Sequence, residues 1–420
     1  MDGSAGAESS SEAPTRHALT YAPFRTLILA ATVSYLGSFV QEVAQAWLMV
    51  ELTHRAKPVA GLAALYTLPV MLLMLPAGVM ADRYDRRRIL IVAQLAQGAV
   101  AFALGVLAAL GKITPGVLLA ASFGLGVGTA IGAPPWQSLV PELVPKSRMP
   151  EAVTIGAVSF NVARAVGPAI GGVVLAWRGP AASFFVNAAS FLGVVVVLWK
   201  VEAIRAASER ARGDGTREGA FAALATAIRH TLRSRPLRAC VVAVSVFAPP
   251  AASTSAILPM FARVTLDAGA RGYGSLLAAL GGGAITGALA LPRLRARLPA
   301  RVLVACAMAL FAAATLAMSQ TTSLRSACVA FFVAGLGWVS SFSTLAALLQ
   351  TSAPDALKSR VMAVYGLAFI GAWVVGAATG GALADTVGMA RAIAVGAVMA
   401  ALAAAVTSRL ALPELPRPAR

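Results

Sequence analysis

Two charged side chains interrupt long apolar runs in this sequence, and chemistry could depend on them. Glu42 lies in the first run and Arg164 in the fifth. If these runs cross a membrane, a charge near the bilayer centre costs about 2.5–3.5 kcal/mol, so each charge needs a partner or a function. We expect Glu42 and Arg164 to interact across a polar cavity, with Glu42 taking up and releasing a proton. The alternative is that Glu42 lies near the end of its helix and is simply hydrated.

The remaining titratable residues form no pattern typical of catalysis. Asp82 and Asp85 are a close acidic pair, but each is flanked by arginine. The three histidines lie outside the apolar runs, and the three cysteines are single residues within them. A membrane-bound prenyl or phosphatidyl transferase would need clustered acids to hold Mg²⁺ and a diphosphate, and a channel would need rings of lining charge. We therefore expect neither an enzyme nor a channel, with no metal site and no cofactor.

The elements that position these residues are membrane helices. Of the 420 residues, 58% are hydrophobic and 12% are charged, about half the charged fraction of a soluble protein. Backbone groups cannot stay unpaired in lipid, so apolar runs of about 20 residues cross a bilayer as helices. The fold class is therefore an all-α integral membrane protein with twelve transmembrane helices. The runs lie at about residues 24–50, 59–81, 89–110, 116–139, 152–177, 181–201, 237–260, 272–292, 302–320, 326–350, 361–384 and 392–412.

Lysine and arginine divide unevenly between the two faces of this arrangement. The odd-numbered connections carry eight of the 35 basic residues, whereas the termini and the even-numbered connections carry 26. Positive charge is retained in the cytoplasm, so we expect both termini to be cytoplasmic. The net charge of +18 is then a topology signal, and we expect no nucleic-acid partner.

The spacing of the runs predicts five segments. Residues 1–20 are expected to form a disordered cytoplasmic tail, 21–201 an N-terminal six-helix bundle, 202–236 a cytoplasmic linker, 237–412 a C-terminal six-helix bundle, and 413–420 a second tail. In the linker, apolar side chains recur at helical spacing between Arg217 and Arg235. This pattern is typical of an amphipathic helix on the membrane surface. We expect it to connect the halves passively rather than to regulate them.

An internal duplication relates the two bundles. A shift of 209 residues places Gly167 on Gly376 and the pair Gly171-Gly172 on Gly380-Gly381. The same shift carries the loop at Gly78 onto Gly287. Two six-helix halves related by pseudo-two-fold symmetry, with substrate held between them, are the architecture of a secondary transporter.

Several motifs extend this interpretation. Gly78-x-x-x-Asp82-Arg83-x-x-Arg86-Arg87, after the second run, resembles the signature of the major facilitator superfamily. Other segments resemble the branch that includes the bacterial enterobactin exporter and related efflux proteins: Leu36-Gly37, Trp47-Leu48 with Glu51-Leu52-Thr53, Pro141-Glu142-Leu143-Val144-Pro145, Asn161-x-x-Arg164-x-x-Gly167-Pro168, Leu258-Pro259 and Tyr273-Gly274.

The resemblance implies the major facilitator fold in a bacterial inner membrane. It further implies a secondary active exporter that works by alternating access, with proton-coupled efflux of a siderophore or similar small molecule. The partners would be that substrate, protons and the lipid bilayer, and the chain would be a monomer. A multidrug or macrolide-type efflux pump and a lysophospholipid flippase of the same fold are the alternatives.

By the same resemblance, Gly78, Asp82, Arg83 and Arg86 form a gating loop. Asp82 would contact the start of the eleventh helix, near Arg360, and latch the cytoplasmic side shut. An acid directed at a helix N-terminus can contribute up to about 2 kcal/mol.

Two other segments copy parts of this loop. In the C-terminal copy Leu291 stands where Asp82 would be, so the latch is expected in one half only. Gly381-Ala-Leu-Ala-Asp385 repeats the local spelling. The predicted topology places Asp385 outside, however, so we do not expect it to play the same part.

Further candidates line the helices. Gly167, Pro168, Gly171 and Gly172 in the fifth run allow close helix packing and a bend, and their pattern resembles that of proton-coupled exporters. The first, fourth, seventh and tenth helices face the cavity in the family. The candidates for its lining are Gln41, Gln45, Asn161, Trp338 and Ser340.

Overall fold

The computed structural model describes residues 17–204, 206, 220–354 and 357–414, and within them it contains helices and no strand. Most of the two predicted tails therefore lies outside the described residues. The long helices are α1 (Ala22–Thr53), α2 (Ala56–Arg83), α3 (Arg86–Ala109), α4 (Pro115–Leu139), α5 (Met149–Lys200), α6 (Ala220–Arg233), α7 (Arg235–Val264), α8 (Ala270–Arg297), α9 (Ala300–Ser319), α10 (Leu324–Ser352), α11 (Lys358–Val387) and α12 (Met389–Arg409).

Helix α5 is two antiparallel membrane helices joined at Gly179. This residue has φ 75° and ψ 179°, a backbone conformation that glycine adopts without strain, and Pro180 follows it. The first arm, α5a (residues 149–178), packs Gly171 against Val40 of α1, whereas the second, α5b (residues 180–200), packs Asn187 against Gly37. Eleven helices in the described residues are long and apolar enough to span a membrane. Because α5 crosses twice, the twelve predicted crossings are confirmed.

The helices form two halves. Within the N-half (α1–α5), α1 and α3 pack on α5 and α2 packs on α4; within the C-half (α7–α12), α7 packs on α11 and α8 on α10. Two antiparallel helix pairs make most of the contact between the halves: α2 with α11, and α5a with α8.

Glycine packing confirms the duplication detected in the sequence. In the N-half, Gly171 approaches α1 at Val40, and its neighbour Gly172 faces Gly274 of the other half. In the C-half, Gly380 approaches α7 at Ser253, and its neighbour Gly381 faces Ala60 of the other half. Corresponding glycines therefore perform corresponding tasks: one packs inside its own half and the next packs across the interface.

Helix α6 lies in the predicted linker and packs against α7, α11 and α2. Ala227 and Thr231 are fully buried, whereas Leu232 is 55% exposed. The helix thus contacts protein with one face and leaves an apolar side chain free to contact lipid.

Twelve crossings place both described ends of the chain on one face, which we call the basic face. It carries the loop between α2 and α3 and the other even-numbered connections, and the odd-numbered connections lie on the opposite face. Glu151 at the start of α5 accepts a hydrogen bond from the backbone nitrogen of Ala18 at 3.1 Å, and Glu414 accepts one from that of Ala300 at 3.1 Å. Both ends are thereby fixed to the basic face.

Candidate functional site

The two halves touch closely at the opposite face. A Cβ built on Gly172 of α5a would lie 2.5 Å from the Cα of Gly274 in α8, so the two backbones are in direct contact. Toward the membrane centre, Gly281 of α8 packs directly on the backbone of Ala165. Since neither glycine could accept a side chain without a shift, α5a and α8 form a sealed seam here.

Toward the basic face the same two helices separate. Val158 lies on the same face of α5a as Ala165, seven residues earlier, and is 55% exposed. Ile285 lies on the same face of α8 as Gly281, four residues later, and is 41% exposed. The cavity between the halves is therefore open to the basic face and closed at the opposite face.

Helices α2 and α11 show the same divergence. A Cβ built on Gly371 of α11 would lie 3.8 Å from the sulfur of Met71 in α2. Gly78 lies two turns further along the same face of α2, and a Cβ there would meet no atom within 4 Å. Among the described residues, Gly78 therefore has no close contact of the kind that Gly371 makes with α2.

An aromatic and charged cluster covers the closed end of the cavity. Trp47 of α1 is 4% exposed and stacks on Tyr273 of α8, with ring centroids 6.2 Å apart. The guanidinium of Arg263 lies over the other half's Trp47 at 6.0 Å, and the Trp47 indole donates a 2.7 Å hydrogen bond to Glu51. Trp47 with Glu51 and Tyr273 come from two motifs that the sequence analysis named, Arg263 comes from neither, and the fold joins all four across the interface.

Asp385 at the end of α11 caps the N-terminus of α2. Its Oδ1 accepts a 2.7 Å hydrogen bond from the backbone nitrogen of Ala56, and its Oδ2 accepts a 3.0 Å hydrogen bond from that of Lys57. That Asp385 does not latch the basic face stays a prediction; the cap that it forms here was not anticipated from the sequence. The topology does place it on the opposite face, but the antiparallel partner helix α2 begins on that face and presents its free N–H groups there.

Glu42 and Arg164 both face the space between the halves, where they interact electrostatically without a short ion pair. Both side chains are exposed, and Glu42 interacts electrostatically with Arg164, Tyr66 of α2 and Tyr273 of α8. Because these groups belong to both halves, Glu42 faces the cavity rather than lipid. In the part of the chain that the structure describes, no ion pair within 4.0 Å includes either residue. Their attraction therefore acts at longer range in this conformation.

Arg164 instead lies over the ring of Trp338 in the C-half, with its Cζ 5.4 Å from the ring centroid. A cation above an indole face is attracted by the quadrupole of the ring. Trp338 packs edge-on against Trp373, with ring centroids 5.2 Å apart, and its ring centroid lies 4.7 Å from that of Phe342. Phe369 completes this half-buried group by contacting Phe342 at 5.0 Å. The structure thus places one predicted cavity residue, Trp338, where an aromatic cluster meets the cation of the other half.

Sequence reasoning missed three members of this cluster. The signal was available: Trp338 and Phe342 are four residues apart, as are Phe369 and Trp373. Pairs at this spacing share one helix face. What the sequence could not supply was the relative rotation of α10 and α11 that brings the two faces together.

Gln41 and Gln45 do not line the cavity, and that prediction is wrong for this conformation. Gln41 is 1% exposed and accepts a 2.8 Å hydrogen bond from the amide of Asn187. The Gln41 amide donates to Gln45 at 3.2 Å, and the Gln45 amide donates to Ser122 of α4 at 3.2 Å. Buried amides need partners, and these satisfy one another inside the N-half, where they connect α1 with α4 and α5b.

The other two cavity candidates differ in exposure. Asn161 is exposed, and its amide donates a 2.8 Å hydrogen bond to Ala157 of its own helix. Ser340 is 7% exposed, so it offers little surface to a ligand. Of these two, only Asn161 is accessible from the open side of the cavity.

The gating loop is attached firmly to the N-half. Arg86 forms a 2.8 Å ion pair with Glu142, which follows α4. Arg87 donates hydrogen bonds to the carbonyl oxygens of Leu198 and Trp199 at the end of α5b. Arg83 is exposed. The side chain of Asp82 lies outside the described residues, so the predicted contact with the start of α11 stays a prediction.

Known proteins are similar to this chain over most of its length. A family model described as transmembrane secretion effector matches residues 9–418. The chain is 27% identical to the enterobactin exporter EntS of Citrobacter koseri, over 94% of this chain and 90% of that protein. It is 26% identical to the multidrug efflux pump Tap of Mycobacterium bovis, over 87% of this chain and 88% of that protein.

Solved structures with the same fold are more distant in sequence. A bacterial homologue of the human lysosomal transporter Spinster, in an inward-facing and occupied conformation, has a TM-score of 0.73 at 15% identity, over 94% of this chain and 98% of its own. The nucleoside transporter NupG has a TM-score of 0.72 at 9% identity, over 92% and 98%. At these identities the likeness shows the fold alone.

Proposed function

Because the chain belongs to the transmembrane secretion effector family of the major facilitator superfamily, we propose that it is a secondary active exporter of a siderophore or similar small molecule. It is a multi-pass membrane transporter and not an enzyme. Export in a bacterial inner membrane is supported by the relatives, which are named as exporters and efflux pumps.

The observation that carries the proposal is the one-sided cavity between the halves. It is sealed at the opposite face by Gly172 against Gly274 and by Trp47 on Tyr273, and it is open toward the basic face. The excess of basic residues makes the basic face cytoplasmic under the positive-inside rule. This conformation is then the one in which an exporter takes up its cargo from the cytoplasm, and both termini are cytoplasmic.

The chemistry of the cavity favours an anionic or aromatic cargo. The exposed Arg164 supplies a positive charge, and the cluster around Trp338 supplies aromatic faces. A second candidate, a multidrug efflux pump, is favoured by a different observation: the exposed carboxyl group of Glu42 in the same space would suit a cationic drug. The relative Tap, named as a multidrug pump, matches most of the chain.

We assign the coupling proton to Glu42. It is the acid that faces the cavity within α1, and its interactions with groups from both halves change when the halves rock. A carboxyl group that alternates between a cationic neighbour and open water can release a proton in one state and bind it in the other. The transport unit is a single chain, because each half contributes part of one cavity.

The experiment is export from a deletion strain and uptake into everted membrane vesicles. A strain without the protein should retain siderophore inside its cells, and the wild-type chain should restore export. Glu42→Gln should abolish uptake driven by a proton gradient, while Glu202→Gln, an exposed acid on the basic face, serves as the matched control. Unchanged uptake by Glu42→Gln would refute the coupling role; drug uptake without siderophore uptake would favour the second candidate.

A further inference from the structure

We propose that Asp385 is a latch that holds the opposite face closed, by capping a helix of one half with a side chain of the other. Asp385 is the last acid of α11 in the C-half, and α2 belongs to the N-half. Its two carboxylate oxygens bind the first two backbone N–H groups of α2 at 2.7 Å and 3.0 Å. The proposal rests on the alternating access inferred above but not on the identity of the cargo.

The N-terminus of α2 lacks a cap of its own. The residue at its N-cap position is Arg55, and no side chain of the same segment caps the helix. Arginine cannot accept a hydrogen bond, so the leading N–H groups of α2 depend on an acceptor from elsewhere. Asp385 is that acceptor, and its negative charge also lies at the positive end of the helix dipole.

The four-residue spacing of Gly381 and Asp385 has a physical reason. A Cβ built on Gly381 would lie 2.5 Å from the Cβ of Ala60, so only glycine lets α11 approach α2 this closely. One turn later, the same helix face brings Asp385 to the end of α2. The glycine sets the distance and the aspartate makes the contact.

The latch occurs on one of the two interfaces. The shift of 209 residues that relates the halves places Ala176 of α5a where Asp385 stands in α11. The N-terminus of α8, which Ala176 approaches, has no side-chain cap either. A cleft of about 590 Å³, lined by Ala176 and Ala270 among others, occupies that side. Charge-assisted capping between the halves at this face is thus a specific feature of α2 and α11.

The contact is conditional on conformation. Asp385 and the start of α2 are on separate halves at the face that must open to release cargo, so opening parts them. The latch therefore stabilises only the conformation that is closed there. Removing a helix cap changes such an equilibrium by about twofold to thirtyfold, and we expect Asp385→Ala to shift the population toward opening at the opposite face by that factor.

Distances between spin labels test the proposal. The full-length protein, with its three cysteines replaced by alanine, carries labels at Lys112→Cys and Arg325→Cys, exposed residues of different halves on the opposite face. Asp385→Ala should increase the population at the longer distance, and Asp385→Asn, which keeps an acceptor but no charge, should increase it less. Thr386→Ala is the matched control, because the Thr386 hydroxyl bonds only to carbonyl groups of its own helix.

A double variant separates a latch from a purely structural cap. Arg55→Ser supplies α2 with its own N-cap, so Arg55→Ser with Asp385→Ala keeps the helix end satisfied without joining the halves. A latch predicts that the double variant opens as Asp385→Ala does; a return to the wild-type distances overturns the proposal. Distances in Asp385→Ala equal to those in Thr386→Ala also overturn it. Failure of siderophore export would leave these distances unaffected and would refute only the proposed cargo.

Discussion

Replacing Gly172 by alanine should open the opposite face without unfolding the protein. In the present conformation a Cβ at Gly172 would lie 2.5 Å from the Cα of Gly274, whereas ordinary contacts begin at 3.4 Å. Helices α5a and α8 would have to separate by about 0.9 Å, because the atom in the way belongs to the backbone and cannot rotate aside. Overpacking of this kind typically costs about 1–3 kcal/mol.

That cost falls on one conformation only. Gly172 faces the other half, so a transporter open at the opposite face has no clash at this position. With about 1.4 kcal/mol for each factor of ten, the population open at the opposite face should rise by about fivefold to about 100-fold. The label pair at Lys112→Cys and Arg325→Cys measures that population directly.

Two other glycines of α5 serve as controls. Gly193→Ala should leave the label distances unchanged and should not lower the melting temperature, since a Cβ there would meet no atom within 4 Å. Gly171→Ala would bring a Cβ 3.0 Å from the Cα of Val40 inside the same half, so it should lower the melting temperature without favouring either conformation. A Gly172→Ala protein with the distances of Gly193→Ala would refute the assignment of this seam as a gate.

Two further substitutions test the interior. Trp338→Ala removes the ring beneath Arg164, and we expect the KM for an anionic aromatic substrate to rise at least about fivefold. The control is Trp199→Ala, which removes an exposed ring and should leave the KM unchanged. Equal KM values for the two variants would contradict the binding role of the cluster. Gln41→Leu leaves the Asn187 amide without its 2.8 Å acceptor, so it should lower the free energy of unfolding by about 1–3 kcal/mol with little change in KM; a raised KM at unchanged stability would instead return Gln41 to the cavity.

The fold could be predicted from the sequence because its main signals, apolar length and basic charge, are summed over many residues. Apolar length determines which segments cross, and the charge count orients them. The structure also confirms the repeat that relates Gly171-Gly172 to Gly380-Gly381. Helices that pack this closely require glycine, and the spacing of glycines can be read from a sequence. The reversal at Gly179 falls between the fifth and sixth predicted runs, where Gly179-Pro180 ends one helix and starts another.

The site was less predictable, and the polar residues of α1 show why. Gln41, Glu42 and Gln45 occupy little more than one helical turn, and a sequence does not give the rotation of that turn. The structure directs Gln41 and Gln45 into the N-half and Glu42 toward the cavity. In a sequence pattern, glutamine and glutamate both count as polar residues. Only the hydrogen-bond partners in the folded protein show which of them is buried within a half and which faces the cavity.

The contact of Asp385 was missed for a different reason, which is the antiparallel symmetry of α2 and α11. The Gly-x-x-x-Asp sequence that ends at Asp385 matches that at Gly78 and Asp82, and Asp385 lies on the face that the topology predicted for it. The sequence predicts a latch at the basic face only. Helices α2 and α11 are antiparallel, so each presents its C-terminal end beside the N-terminus of the other. A glycine followed one turn later by an aspartate can therefore cap the partner helix at either end of the pair. At the opposite face this contact is formed. The contact predicted for Asp82 would latch the basic face shut, so one helix pair would carry one latch for each conformation of the transporter.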